Sequence, residues 1–199
     1  HGALQGTASL VTRLAAEEYD ATDFVPESPW DPHDMLASVT RAVDENVKQP
    51  QLRTLLDAFL ANDDVTPKLL RAPAAKSRHH ACIGGLIEHI ASSLVIASGV
   101  YRVHKGLDRA LLCAGIVLHD IGKMRELEVK ATIDYTVEGR LIGHITLGYE
   151  WVTTIARSIE GFPEDTRLQL GHIILSHHGR TEHGSPIVPM TPEAVAVHF

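Results

Sequence analysis

Apolar residues recur at helical spacing through most of this chain. Leu36, Val39, Val43 and Val47 share one face of a helix predicted from Met35 to about Val47, started by Asp34 and broken by Pro50. Leu52, Leu55, Leu56, Phe59 and Leu60 mark a second helix from Gln51 to Ala61, and residues 62–79 hold one more helical turn between prolines. Leu86, Ile90, Leu94 and Ala97 predict a helix ending near Gly99–Val103. The stretch Leu107 to His119 is apolar almost all round and is therefore expected to be buried, with Gly122 as its stop. Residues 126–136 alternate with β-branched character and suggest a small hairpin. Glu138 to about Ser158 reads as one long amphipathic helix carrying Leu141, Ile145, Val152, Ile155 and Ile159, with His144 one turn in. Pro163 opens a helix with Leu168, Leu170, Ile173 and Ile174 that ends at the His177–His178–Gly179 turn. Glu193 starts a last helix. The N-terminal texture differs: residues 3–14 alternate weakly and suggest a strand or two, and the Asp- and Pro-rich residues 20–34 read as an extended connector. The expected fold is an all-α bundle with a small hairpin.

Composition narrows the class. A chain of 199 residues, 44% hydrophobic and 22% charged, can bury one full core with a small appendage. Its longest apolar run, Leu111 to Leu118, is too short to cross a bilayer, and no signal-peptide pattern opens the chain, so no membrane partner is expected. Cys82 and Cys113 sit alone in apolar stretches, as small core residues of a reducing, cytoplasmic compartment would. A net charge of −7 argues against a broad nucleic-acid-coating surface and leaves room for a local basic patch. His1 stands where Met would begin a natural chain, which suggests a fragment, a processed product or a tagged form.

The thirteen histidines change the picture most. His89 interrupts the helix of Leu86 and Ile90, and His119 with Asp120 closes the buried helix. His144 lies between Leu141 and Ile145, and His177 with His178 ends the helix of Ile173 and Ile174. Any one of these alone is more often a hydrogen-bonded, half-buried side chain than a ligand. Four apolar helices that each carry imidazole toward the buried side need shared compensation, because an unpaired buried polar group costs several kcal/mol, about 2–7 by transfer scales. A metal site supplies it: neutral imidazole is the commonest metal ligand, and a carboxylate such as Asp120 can bridge two ions.

The series His89, His119-Asp120-Ile-Gly-Lys123, Gly143-His144 and Ser176-His177-His178-Gly179 resembles the HD superfamily of metal-dependent phosphohydrolases. Within it, residues 79–89 (HHACIGGLIEH), 112–123 (LCAGIVLHDIGK), 138–145 (EGRLIGHI) and 175–186 (LSHHGRTEHGSP) look like the bacterial YhaM-type 3′-to-5′ exoribonucleases. The likeness covers about residues 75 to 199. In that family an oligonucleotide-binding barrel precedes the HD domain. The resemblance thus implies a trailing barrel edge and linker over 1–34, connecting helices over 35–75 and the HD domain over 76–199. The family's final metal-binding aspartate would fall just past Phe199, so the resemblance also implies an incomplete site and a last helix too short to hold, leaving the pocket floor open and wet.

What the resemblance implies chemically is two divalent ions, Mn²⁺, Mg²⁺ or Fe²⁺. His89, His119 and Asp120 would hold one, and Asp120 would bridge to a second held by His144 with one or both of His177 and His178. Asp120 and Lys123 would carry catalysis, the lysine neutralising phosphate charge from the pocket rim. His79, His80, Arg180 and Ser185 are candidates for substrate contact, and Gly84 and Gly85 for close helix packing. The substrate expected is single-stranded RNA or an oligonucleotide. The alternatives are a small nucleotide (a nucleotidase, dNTPase or cyclic-dinucleotide phosphodiesterase) or a non-catalytic nucleotide-sensing domain. Self-association into a homo-oligomer is left open.

Overall fold

The computed structural model describes residues 7–198. Helix α1 (Pro32–Asn46) starts ahead of the apolar pattern because Asp31 caps it, accepting from the backbone N–H groups of His33 and Asp34 with Pro32 in the first turn. Met35, Val39 and Val43 form its buried face. Pro50 opens α2 (Pro50–Leu60) rather than merely ending α1, and Leu52, Leu55, Leu56 and Phe59 bury against the body. A short α3 (Thr66–Arg71) leads to the loop before α4 (Gly85–Val103). Helix α5 (Arg109–Leu118) is capped by Asp108 and buried at every residue from Ala110 to Leu118. It is the hub on which α1, α2 and α4 pack.

The second half carries α6 (Lys123–Glu126), the hairpin β1 (Leu127–Val129) and β2 (Ile133–Tyr135), and α7 (Val137–Ile142). Helices α8 (His144–Ser158), α9 (Glu164–Ser176) and α10 (Pro192–His198) complete it, with α9 and α10 closing on α5. Gly115 on α5 lets α9 in: a Cβ there would meet Ile173 Cδ1 at 2.9 Å. Among the described residues only α4 is long and apolar enough to cross a membrane by length and composition. Here its buried face, Leu86, Ile90, Leu94 and Ala97, lies against α1 and α5.

Several expectations need correction. The single helix over 138–158 is two helices, because Gly143 takes φ +79°, ψ 153°, a turn that places the His144 backbone N–H on Glu126 Oε1 at 3.0 Å. His144 is therefore the first residue of α8, and Leu141 is 80% exposed on α7 instead of sharing a core face with Ile145. Leu168 likewise faces solvent. Gly122 is no left-handed stop, having φ −62°. Its hydrogen in place of a Cβ admits α8, since a methyl there would meet the His144 carbonyl oxygen at 2.1 Å. Gly84 adopts φ +78° ahead of α4, and Gly85 packs a loop rather than a helix, its missing Cβ lying 2.0 Å from the His80 carbonyl oxygen. Residues 7–14 form no strand: with no neighbouring ladder to pair with, Leu10 and Val11 stay exposed, while residues 3–6 lie outside the described residues. The last helix is docked, not loose: Ala194 is fully buried, and buried Glu193 accepts from the Asp108 backbone N–H at 2.9 Å, tying α10 to the start of α5.

Candidate metal centre

The last carbonyls of a helix lack intrahelical donors, and two histidines exploit this. His119 caps α5 and donates Nδ1–H to the Ile116 carbonyl at 2.8 Å; His177 caps α9 and donates to the Ile174 carbonyl at 2.7 Å. A carbonyl can only accept, so the ring proton sits on Nδ1 and each Nε2 presents its lone pair inward. His144 is oriented by a carboxylate: Glu126 Oε1 accepts from its Nδ1 at 2.9 Å as well as from its backbone. His178 donates Nδ1–H to the His183 carbonyl at 2.8 Å. Such partners on the remote ring nitrogen fix the tautomer and aim of a metal-binding imidazole.

These side chains surround Asp120, which is 3% exposed. Its Oδ2 lies 3.5 Å from His89 Nε2, 3.4 Å from His119 Nε2 and 2.6 Å from Lys123 Nζ. Its Oδ1 lies 3.5 Å from His144 Nε2 and 3.3 Å from His177 Nε2. The donors thus fall into two groups compact enough for an ion, His89 with His119 and Asp120, and His144 with His177 and His178. Asp120 Oδ1, His144 Nε2 and His177 Nε2 are buried and find no hydrogen-bond partner among the described residues. Each such orphan costs about 1–3 kcal/mol. One divalent cation would satisfy all three, so the residues fit the metal that the imidazole and carboxylate donors suggest.

The electrostatics agree. Burial works to raise the Asp120 carboxyl, but the neighbouring His119 and the Lys123 ammonium outweigh burial and hold it well below the carboxylate range. Burial, reinforced by His119, pulls His89 down to about 3. Burial and neighbouring His177 pull His178 down to about 4. Both rings are therefore neutral at pH 7, as metal binding by imidazole requires. Glu126 is also lowered, its bonds to His144 outweighing burial.

The other sequence candidates divide. Lys123 lies inside the centre rather than at its rim, its side chain 17% exposed and bonded to Asp120. His80 takes a left-handed φ of +57° and sets its ring 5.6 Å from that of His89, while exposed His79 stands beside it at 5.5 Å. These three rings form a further compact donor group at the mouth of the site. Arg180 is exposed in the loop after α9. Ser185 does not serve as a substrate contact: it is 3% exposed, and its hydroxyl faces the Leu175 and Ile187 carbonyls at 3.1 and 2.8 Å, pinning the loop. Sequence reasoning missed Glu126, reading it as the start of the hairpin; an acid beside an apolar alternation gives no hint of a partner eighteen residues on. It also missed His198, whose Nδ1–H donates to the His177 carbonyl at 3.1 Å. Beside His80, His89 and His198 opens a cavity of about 880 Å³, walled by apolar residues of α4 and α10 such as Ile96, Val100 and Val195.

Comparison with known proteins shows the family. The chain is 35% identical over 183 residues to the 3′-5′ exoribonuclease YhaM of Oceanobacillus iheyensis, covering 92% of this chain and 56% of that relative. It is 35% identical over 185 residues to the YhaM protein of Bacillus subtilis, covering 92% and 57%. For that of Shouchella clausii the identity is 37% over 192 residues, covering 96% and 59%. The chain therefore spans a little over half the length of these curated relatives. No solved structure matches it. The HD domain model matches residues 86–199, the segment that carries every histidine around Asp120, and the chain belongs to the HD domain family.

Proposed function

We propose that this chain is the hydrolytic part of a metal-dependent phosphodiesterase that shortens single-stranded RNA from its 3′ end. The observation that carries this reading is the set of buried, unpaired donors, Asp120 Oδ1, His144 Nε2 and His177 Nε2, opposite His89 and His119 across one carboxylate. Relatives at 35–37% identity named 3′-5′ exoribonuclease support the substrate class. Bound divalent cations supply Lewis acidity and a water acidic enough to ionise near neutral pH. The protein's part is to hold them: Asp120 offers one oxygen to each side, and Glu126 and the helix-end carbonyls keep the imidazoles aimed. Lys123 brings a positive charge within the centre to meet the phosphate as charge builds on it. His79 and His80 stand at the mouth, where a phosphate or ribose would enter. Imidazoles outnumber carboxylates and no thiolate is present among the donor groups, so two ions of Fe²⁺ suit the set better than oxygen-seeking Mg²⁺, with Mn²⁺ between them.

The neighbouring cavity of about 880 Å³ would also hold a mononucleotide, which makes small-nucleotide hydrolysis the second reading. Incubating the protein and Mn²⁺ with 5′-labelled single-stranded RNAs of graded length separates the two. The first reading expects a ladder receding from the 3′ end and faster turnover of longer strands. Equal turnover of mononucleotides, with no ladder, would replace it by the second.

A further inference from the structure

The two oxygens of Asp120 are not equivalent. On the Oδ1 side, the carboxylate oxygen and the facing nitrogens of His144 and His177 have no hydrogen-bond partner among the described residues. On the Oδ2 side a cation is already present, the Lys123 ammonium at 2.6 Å, while His89 Nε2 and His119 Nε2 meet one another at 3.0 Å. The lysine is held there by its position. It begins α6 three residues after Asp120, its backbone N–H donates to the Asp120 carbonyl at 2.9 Å, and both side chains are largely buried, 17% and 4% exposed. A divalent ion approaching Oδ2 must displace this ammonium or bind against its repulsion, which is strong where water is excluded. An ion approaching Oδ1 meets only lone pairs.

We infer that Lys123 is a built-in competitor for the second cation, so that the Oδ1 side loads first and the Oδ2 side fills only as the ammonium leaves the carboxylate. The inference rests on the metal-centre reading proposed above. It adds an order and a coupling to that reading: the ion that completes the centre frees the one lysine placed to take the substrate phosphate. Metal loading then prepares the site for its anionic substrate, and a half-loaded centre keeps its phosphate-binding charge tied to Asp120.

Calorimetric titration of the metal-free protein with Mn²⁺ tests this without any turnover. The wild type should show two classes of site at least about tenfold apart in Kd. Lys123→Met keeps the apolar stem and removes the charge; it should tighten the weaker class about tenfold and leave the tighter one within about twofold. Lys123→Arg should keep the weak class weak, and His177→Ala should abolish the tight class. Lys123→Gln repeats the charge removal should the methionine variant fail to fold, judged by its circular dichroism melt. Unchanged or looser binding of the weak class in both charge-removing variants would overturn the inference while leaving the metal centre intact. Absence of any Mn²⁺ binding by the wild type would overturn the metal centre as well.

Discussion

Along its length α5 lies among apolar side chains. Leu112, Cys113 and Val117 are buried against α1, α2 and α4, where Val39, Val43, Leu55 and Phe59 are fully buried too. One turn further, at His119 and Asp120, the same helix end enters a ring of imidazoles in which Asp120 Oδ1, His144 Nε2 and His177 Nε2 find no hydrogen-bond partner among the described residues. The first region is satisfied by shape alone, each Leu, Ile or Phe contributing roughly 1.5–3 kcal/mol by burial. The second keeps unsatisfied polar atoms in place because the first is rigid. A helix anchored by a close-packed core can hold charge and lone pairs at its end at a cost that a loop could not sustain. Stability and reactivity therefore occupy adjacent turns of one helix, and they should be separable by mutation.

The largest separation is expected from Asp120→Asn. Bound metal, read by elemental analysis, should fall to background, and phosphodiesterase activity should drop by about three orders of magnitude, the scale of a lost electrostatic stabiliser. The metal-free protein should lose some stability as Lys123 gives up its charged partner, yet remain folded. Phe59→Ala is the mirror case. It removes a fully buried ring packed edge-on against Trp151 at 5.0 Å and should cost about 3–5 kcal/mol of stability in denaturant titration. Its metal content at temperatures below its melt should match the wild type. Loss of metal in Phe59→Ala together with retained stability would break the comparison.

Smaller effects sharpen it. Glu126→Gln leaves an acceptor for His144 but removes its charge, and should weaken metal binding about 10–100-fold with little change in thermal stability. If that variant binds metal as tightly as the parent, Glu126 is a helix-start brace and no more. The last effect is on pH. His89 at about 3 and His178 at about 4 lie below the ordinary 6.5, so between those values the unfolded chain carries protons that the folded chain does not. Stability from keeping these rings neutral is complete above pH 6.5 and is lost as pH falls toward 3–4, by at most about 1.4 kcal/mol per pH unit for each ring. Melts in chelator from pH 7 to pH 4.5 should show this decline, and His89→Gln should flatten it. An equal slope in that variant would remove His89 from the account.

Periodicity alone determined the apolar half of the molecule. Val39 and Val43 on α1, and Leu52, Leu55, Leu56 and Phe59 on α2, are where their spacing predicts, because a helix face is a local property with a 3.6-residue repeat. The sequence also singled out the side chains that the fold gathers around Asp120, since His89, His119-Asp120, His144 and His177-His178 interrupt apolar helices where a polar group needs a reason. Tertiary structure decided how they meet. The break at Gly143 that makes His144 a helix start exists because α8 must pass close over Gly122 and offer its first N–H to Glu126. Ser185 was lost as a substrate contact because its loop folds back onto Leu175. The division of the donors between Oδ1 and Oδ2, and the lysine on one side only, depend on where the ends of α4, α5, α8 and α9 converge. Helix ends are placed by contacts between segments distant in the chain, and no repeat along a single segment encodes them.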